Sequence, residues 1–198
     1  MLIFSAFAPA QTIVPDEQIE REMIAFARKS ENTLDLSRPR IVRNSPEAKK
    51  NNFQNSKTEI GKESAITFSL EHKAFDLLNE KRIANGLIPL KWNEELAKIA
   101  RYHSENMAHG NYFSHQEADG SMVNNRADLF GISNWKSIGE NIAFNRGFLK
   151  PADSACEQWM QSPAHRENIL DQHWKESGIG VAIAADGAYY FTQVFILK

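Results

Sequence analysis

From Ile66 onward, apolar residues recur with the spacing of an amphipathic helix. They follow one another at steps of four, four, three and one residues, which puts their side chains on one face of a helix. These residues are Ile66, Leu70, Ala74, Leu77 and Leu78. We expect this helix to end at Asn85-Gly86, because glycine readily adopts the left-handed conformation that terminates helices.

Further helices are predicted from the same periodicity and from capping residues. A second helix begins near Asn93, a favourable N-cap residue. Its inward face is predicted to consist of Leu96, Ile99, Ala100, His103 and Met107, so His103 is interpreted as a core histidine. A third helix begins at Pro151, and a short fourth has Ser162 as its cap and Pro163 in its first position. The intervening stretch, residues 109–148, is predicted to be irregular.

The carboxyl-terminal residues have the composition of two strands. Residues 178–184 and 188–196 flank the turn sequence Ala185-Asp186-Gly187, which predicts a hairpin. Helices followed by a strand pair favour an α+β fold with an antiparallel sheet. The single cysteine, Cys156, excludes an intramolecular disulfide, and its helical spacing from Trp159 indicates a buried structural thiol.

The chain before residue 65 is predicted to lie outside this fold. Residues 1–10 are apolar and end in Ala8-Pro9-Ala10, the small-x-small pattern of a signal-peptidase site, although no charged region precedes them. We interpret them as a clipped export signal; the alternative is an apolar terminus without that role. Within residues 11–64 we predict one short helix, at residues 13–28, and then a linker, residues 29–64, that is too polar to offset its ordering entropy. The folded domain is therefore expected at residues 65–198.

Charge and hydropathy argue against two classes of protein, those that bind nucleic acid and those that span a membrane. The 198 residues include 23 basic and 25 acidic side chains, which gives a net charge of −2. A protein that binds nucleic acid usually carries a basic excess or stripe, so no nucleic-acid partner is expected. No apolar run approaches the roughly 20 residues that span a bilayer, so the protein is not expected to be transmembrane.

Five short motifs follow one another between residues 79 and 195. They are Asn79-Glu80-x-Arg82 with Gly86-Leu87-x-Pro89-Leu90-x-Trp92, then Phe113-Ser114-His115, Gly139-Glu140-Asn141-Ile142-Ala143, Trp159-Met160-x-Ser162-Pro163-x-His165-Arg166-x-Asn168-Ile169-Leu170, and Tyr190-Phe191-Thr192-Gln193-Val194-Phe195. Together they resemble the CAP superfamily, also called the SCP domain, which includes cysteine-rich secretory proteins, antigen 5 and pathogenesis-related 1 proteins. The low cysteine content is similar to that of the bacterial branch. The resemblance implies a three-layer α-β-α sandwich with a central antiparallel sheet, in a protein that is secreted, periplasmic or on the cell surface.

The resemblance also implies a central cleft. In better-studied relatives this cleft gathers two histidines and two acids, often around a divalent metal such as zinc. His115 and Glu140 match the first histidine and the first acid, whereas the other two positions hold Ser162 and Tyr190. Half of the tetrad is therefore absent. The ligand cleft is expected to contain His115, Glu140, His165, Tyr190 and Gln193.

His165 is the candidate that would replace a missing metal ligand. It follows Ser162 by three residues, close to the position of the absent acid. If it points into the cleft, it forms with His115 and Glu140 the two-histidine, one-carboxylate set of an open zinc site. The alternatives are structural: Glu140 would organise its own loop, and His165 would pack against Trp159. Arg126 is a candidate for a loop-fixing ion pair or a ligand contact.

Three functional hypotheses remain open from the sequence. We favour a secreted binding or interaction module whose cleft holds an unknown small ligand, a lipid, a divalent ion or a protein partner. The alternative is a metal-dependent hydrolase of peptides or esters, in which Glu140 is the general base for a metal-activated water. In the third hypothesis the cleft is vestigial and the linker tethers an interaction protein. Whether the protein is an enzyme is left open.

Overall fold

The computed structural model describes the backbone of residues 46–198 and the side chains of residues 64–198. The elements in this part of the chain are α1 (Pro46–Ala84), β1 (Lys91–Trp92), α2 (Glu94–Gly110), α3 (Val123–Leu129), β2 (Ser137–Asn145), α4 (Pro151–Gln161), α5 (Pro163–Leu170), β3 (Glu176–Ile183) and β4 (Tyr189–Leu197). The predicted export signal and the predicted short helix near residues 13–28 lie outside the described residues.

Helix α1 begins earlier than predicted. It starts at Pro46, so the end of the stretch interpreted as a polar linker is helical. A low content of apolar residues indicates little burial, but it does not oppose a helix, and proline is favourable in a first turn. The predicted end is confirmed, because the helix stops at Ala84 and Gly86 has a φ of +77°.

The four strands form one mixed sheet with the order β1-β3-β4-β2. Strand β4 pairs antiparallel with β3 and with β2, and the predicted carboxyl-terminal hairpin is confirmed. The two-residue strand β1 pairs parallel with β3, through Lys91 opposite Glu176 and Trp92 opposite Ser177. The α+β class is therefore correct, and the sheet is antiparallel except for this short parallel pair.

The prediction that residues 109–148 are irregular was wrong. This stretch contains α3 and the nine-residue strand β2. Three of the buried residues of β2, Glu140, Asn141 and Asn145, are polar, so the strand lacks the apolar alternation that reveals a half-buried strand in a sequence. Because these buried residues are polar, the strand that carries Glu140 could not be recognised as a strand from the sequence pattern.

Helices cover both faces of the sheet, as the three-layer expectation requires. On one face, Leu96 and Ile99 of α2 pack against Val194 of β4. On the other face, Leu78 of α1 and Trp159 of α4 belong to the cluster that contains Phe191 and Phe195 of β4, and Ile169 of α5 joins them. Alternate residues of each strand therefore face different helical layers.

Helix α2 lies directly against the backbone of β3. A Cβ atom on Gly178 would be 2.2 Å from the backbone nitrogen of Ala97, and one on Gly180 would be 2.0 Å from that of Arg101. Asn93 caps the helix as predicted, because its side chain accepts hydrogen bonds from the backbone N–H groups of Glu95 and Leu96. This close contact fixes the position of α2 on the face of the sheet toward which the candidate site projects.

Side chains of α4 and α5 cap the outer edge of β2. The indole Nε1 of Trp159 donates to the carbonyl oxygen of Ile142 (2.8 Å), and Asn168 Nδ2 donates to that of Glu140 (3.4 Å). Ser162 precedes α5 as predicted, although its side chain makes no capping hydrogen bond. The edge strand that carries Glu140 is therefore held by the neighbouring helices.

Candidate functional site

The structure brings His115 and Glu140 into contact. His115 lies in the loop after α2, and Glu140 projects from β2 toward the α2 layer. The Nδ1–H of His115 donates to Glu140 Oε1 over 2.8 Å. The His115 side chain is 42% exposed, whereas that of Glu140 is only 3% exposed. The histidine is therefore the member of this pair that faces solvent.

Arg126 binds the other oxygen of Glu140. This arginine belongs to α3 and its side chain is 1% exposed. Its Nη2 donates to Glu140 Oε2 over 2.5 Å, and its Nη1 donates to the carbonyl oxygen of His115 over 3.3 Å. Both oxygens of Glu140 therefore accept hydrogen bonds from the protein, and the carboxylate orients the ring of His115 through its Nδ1. That geometry does not suit the predicted role of Glu140 as an open general base.

A second buried carboxylate, Glu117, lies on the far side of Arg126. Glu117 Oε1 accepts hydrogen bonds from Arg126 Nη1 (3.2 Å) and from His103 Nδ1 (2.7 Å). Its Oε2 accepts from the hydroxyl of Tyr112 and from Asn106 Nδ2 (3.2 Å). Burial, reinforced by the bond to Glu117, raises the pKa of Tyr112. All the strong hydrogen-bonding positions of Glu117 are thus occupied.

His103 occupies the core, as predicted, and it also contacts this group. Its Nε2 lies 3.9 Å from Glu140 Oε1 and has no hydrogen-bond partner among the described residues. Burial is the main cause that lowers the pKa of His103, so the neutral imidazole is favoured in the folded protein. We call His103, His115, Glu117, Arg126 and Glu140 the acid–base cluster. Its two carboxylates and one guanidinium carry a formal net charge of −1.

Tyr190 and Gln193 do not share a cleft. They are three residues apart on β4, so they point to opposite faces of the sheet. Tyr190 packs against Phe144, with ring centroids 5.1 Å apart, and burial raises its pKa to about 12. Gln193 donates through Nε2 to Ser177 Oγ over 3.2 Å. Both side chains are fully buried, so neither is exposed at the surface of a cleft in this structure.

The predicted metal set of His115, Glu140 and His165 is not formed. His165 lies in α5, which packs on the face of the sheet opposite to Glu140, and its carbonyl oxygen accepts from Asn141 Nδ2 over 3.2 Å. The half-buried His165 side chain borders a small crevice lined by Phe113, Ile142, Ala143, Phe144, Gln158 and Trp159. Within residues 64–198, no three or more His, Cys, Asp or Glu side chains are grouped so that they could hold a metal ion.

Sequence reasoning missed Glu117 and the contact of His103 with Glu140. Helical spacing located His103 in the core, and a buried histidine requires a polar partner. That partner is 14 residues away in an irregular loop, and no periodicity or motif marks it. The signal that could have found the cluster was therefore the buried histidine itself, together with the arginine already suspected of forming a loop-fixing ion pair.

Comparison with known proteins agrees with the fold. Residues 75–195 match the model of the family described as "CAP: Cysteine-rich secretory protein family". Over 128 residues the chain is 37% identical to the uncharacterized protein YkwD of Bacillus subtilis, and over 133 residues it is 35% identical to the uncharacterized membrane protein YlbC of the same organism. These alignments cover 65% and 67% of this chain, but only 47% and 36% of the two relatives. The chain therefore spans less than half the length of these curated relatives.

A solved structure with the same fold is that of an extracellular protein containing a SCP domain from Bacillus anthracis. It shares 30% sequence identity with this chain and has a TM-score of 0.60, covering 70% of this chain and 43% of its own. In the part of the chain that the structure describes, no helix combines the length and the apolarity needed to cross a membrane. The matched family model, the relatives and the observed sandwich agree, and the chain belongs to the CAP, or cysteine-rich secretory protein, family.

Proposed function

We propose that this protein is an extracellular binding module whose ligand contacts the exposed side of His115. The observation that carries this proposal is the pairing of a half-exposed histidine with a buried carboxylate at 2.8 Å. Since Nδ1 donates to Glu140, Nε2 is an acceptor in the neutral ring. It is therefore suited to a ligand with a hydroxyl or amide N–H group.

Two observations support a location outside the cytoplasm. The relative of known structure from Bacillus anthracis is an extracellular protein, and the apolar residues 1–10 end in a small-x-small pattern typical of export signals. Charge supports the expected absence of a nucleic-acid partner, because acidic side chains slightly outnumber basic ones. The expected ligand is a small molecule, a lipid or a protein segment that offers a hydroxyl or amide N–H group to Nε2 of His115.

The metal-dependent hydrolase is the weaker alternative. It requires Glu140 as a general base, but both oxygens of this carboxylate accept hydrogen bonds from His115 and Arg126. It also requires a metal beside His115, whereas residues 64–198 contain no group of His, Cys, Asp or Glu side chains that could hold a metal ion. A binding role needs neither condition. Hydrolysis of a peptide or ester that is lost in both His115→Ala and Glu140→Gln would favour the enzyme instead.

The test is a thermal-shift screen of the full chain against panels of lipids, peptides and ions. A ligand that binds only the folded protein raises the melting temperature, by an amount that grows with the logarithm of its concentration divided by its Kd. The shift is expected to disappear in His115→Ala and to persist in His173→Ala. His173 is a matched control because its Nδ1 also donates to a carboxylate, Asp171, at 2.7 Å on the exposed surface. A shift that survives in His115→Ala, or no shift with any panel, would contradict the proposal.

A further inference from the structure

The acid–base cluster contains a cation of its own. Arg126 lies between two buried carboxylates, with Nη2 bound to Glu140 (2.5 Å) and Nη1 bound to Glu117 (3.2 Å). Two histidines flank the same pair of acids, since His115 binds Glu140 and His103 binds Glu117. Two histidines and two acids therefore surround a guanidinium group. The resemblance noted in the sequence implied a divalent metal beside His115 and Glu140.

The donors of the cluster do not fit a metal ion. Both oxygens of Glu140 and both oxygens of Glu117 accept hydrogen bonds from neighbouring side chains. The ring nitrogens left for a metal are the buried Nε2 of His103 and the Nε2 of His115, and two nitrogens fall short of the three or four protein ligands that zinc takes. A metal could gain the carboxylates only by displacing Arg126.

Arginine suits this position physically. An arginine side chain is a cation with a planar fork of N–H donors, which reaches two carboxylates in fixed directions. The guanidinium here is 1% exposed, so water screens it little. It also donates to the carbonyl oxygen of His115, which ties the loop of that histidine to α3.

We infer that Arg126 takes the place of a metal ion in this site. Its guanidinium supplies the positive charge between Glu117 and Glu140 and positions the His115–Glu140 pair, so that the site needs no divalent metal. Arg126 is thus a positioning residue. The inference concerns the cation of the site and does not depend on which ligand His115 binds.

The test is calorimetric titration of zinc into the chelator-treated full chain, with bound metal measured after dialysis by mass spectrometry. The wild-type protein is expected to show no saturable site that depends on His115. In Arg126→Ala the two carboxylates and two histidines lose their cation, and zinc is expected to raise the melting temperature of this variant by several degrees. The matched control is Arg146→Ala, which removes an exposed arginine paired with Asp186 and is expected to gain no zinc dependence.

The outcomes separate clearly. One-site zinc binding by the wild-type protein that is lost in His115→Ala would overturn the inference, and so would a folded Arg126→Ala that zinc does not stabilise. Where Arg126→Ala does not fold, the comparison of wild type with His115→Ala decides alone. Because zinc is the only probe, failure here is distinct from failure of the proposed binding function, which the ligand panels test.

Discussion

The stability of the protein is expected to depend more on the charge of Arg126 than on either carboxylate that it binds. Replacing Arg126 with methionine removes the charge but keeps much of the side-chain volume. It leaves Glu117 and Glu140 buried without their shared cation. Breaking one buried ion pair by removing a partner typically costs about 3–5 kcal/mol. Since two pairs are broken here, we expect Arg126→Met to cost about 5 kcal/mol, a large part of the stability of an ordinary domain.

Glu140→Gln is expected to cost much less. Arg126 keeps its bond to Glu117, and the glutamine oxygen still accepts a hydrogen bond from His115. The amide has one acceptor oxygen where the carboxylate had two, so its NH2 group faces the Arg126 donor and that charge-assisted hydrogen bond is lost, at a cost of roughly 1–3 kcal/mol. In the Arg126→Met background the same substitution removes one of two uncompensated charges. We therefore expect it to be neutral or stabilising there, which is a change of sign between the two backgrounds.

The assay is urea unfolding of the four proteins of this double-mutant cycle, followed by tryptophan fluorescence. A shift of the midpoint at constant slope reports a change in the free energy of unfolding. Two results would refute the reasoning. One is an Arg126→Met cost below about 1 kcal/mol, within the range of exposed ion pairs. The other is an equal cost of Glu140→Gln in both backgrounds, which would show that Arg126 and Glu140 are not energetically coupled.

Three further predictions concern the pH dependence, the thiol and the packing. The lowered pKa of His103 means that the unfolded state, with an ordinary pKa near 6.5, binds a proton first as the pH falls. The free energy of unfolding is therefore expected to decrease below pH 6.5, by at most about 1.4 kcal/mol per pH unit. This component is expected to disappear in His103→Gln, and an unchanged pH dependence in that variant would contradict the prediction. Burial raises the pKa of Cys156 to about 12, so the native protein is expected to react with a thiol reagent at pH 8 only after urea unfolds it; rapid labelling of the native state would contradict this. Gly180→Ala places a Cβ 2.0 Å from the backbone nitrogen of Arg101, whereas the Cβ of Gly139→Ala meets only a side chain, at 3.0 Å. Gly180→Ala is therefore expected to lower the urea midpoint of unfolding far more than Gly139→Ala. Similar midpoints for the two variants would refute the close contact.

The elements that could be predicted are those whose signal is local. Helix α2 has a regular apolar face and a capping asparagine, Asn93, whose role the structure confirms. The hairpin of β3 and β4 has two apolar runs around a short turn. Strand β2 has neither an apolar run nor a capping residue that marks it, because three of its buried residues are polar and form hydrogen bonds: Glu140, Asn141 and Asn145. A polar residue buried by its partners cannot be distinguished in a sequence from one exposed to water.

Only the site residues that lie in the recognised motifs could be predicted from the sequence. The resemblance paired His115 with Glu140, and these two residues are in contact. It gave no basis for grouping Tyr190 with Gln193, and strand alternation already argues against that grouping, since residues three apart on a strand face opposite sides. His165 required knowledge of which face α5 covers. That choice depends on long-range packing, which local spacing does not encode.

The acid–base cluster is not favourable for stability alone, because burying its charged groups carries a desolvation cost. Buried ion pairs often contribute less than apolar side chains of the same volume, so stability alone is a weak reason for two carboxylates and a guanidinium in this interior. What the cluster does provide is a fixed orientation for His115, whose ring is held by Glu140 and whose backbone is held by Arg126. The net charge of −1 behind that ring opposes the approach of an anion. We therefore expect neutral hydrogen-bond donors to bind at His115 more tightly than carboxylates or phosphates of similar size. The opposite ranking in the ligand panels would show that the cluster does not set the specificity of the site.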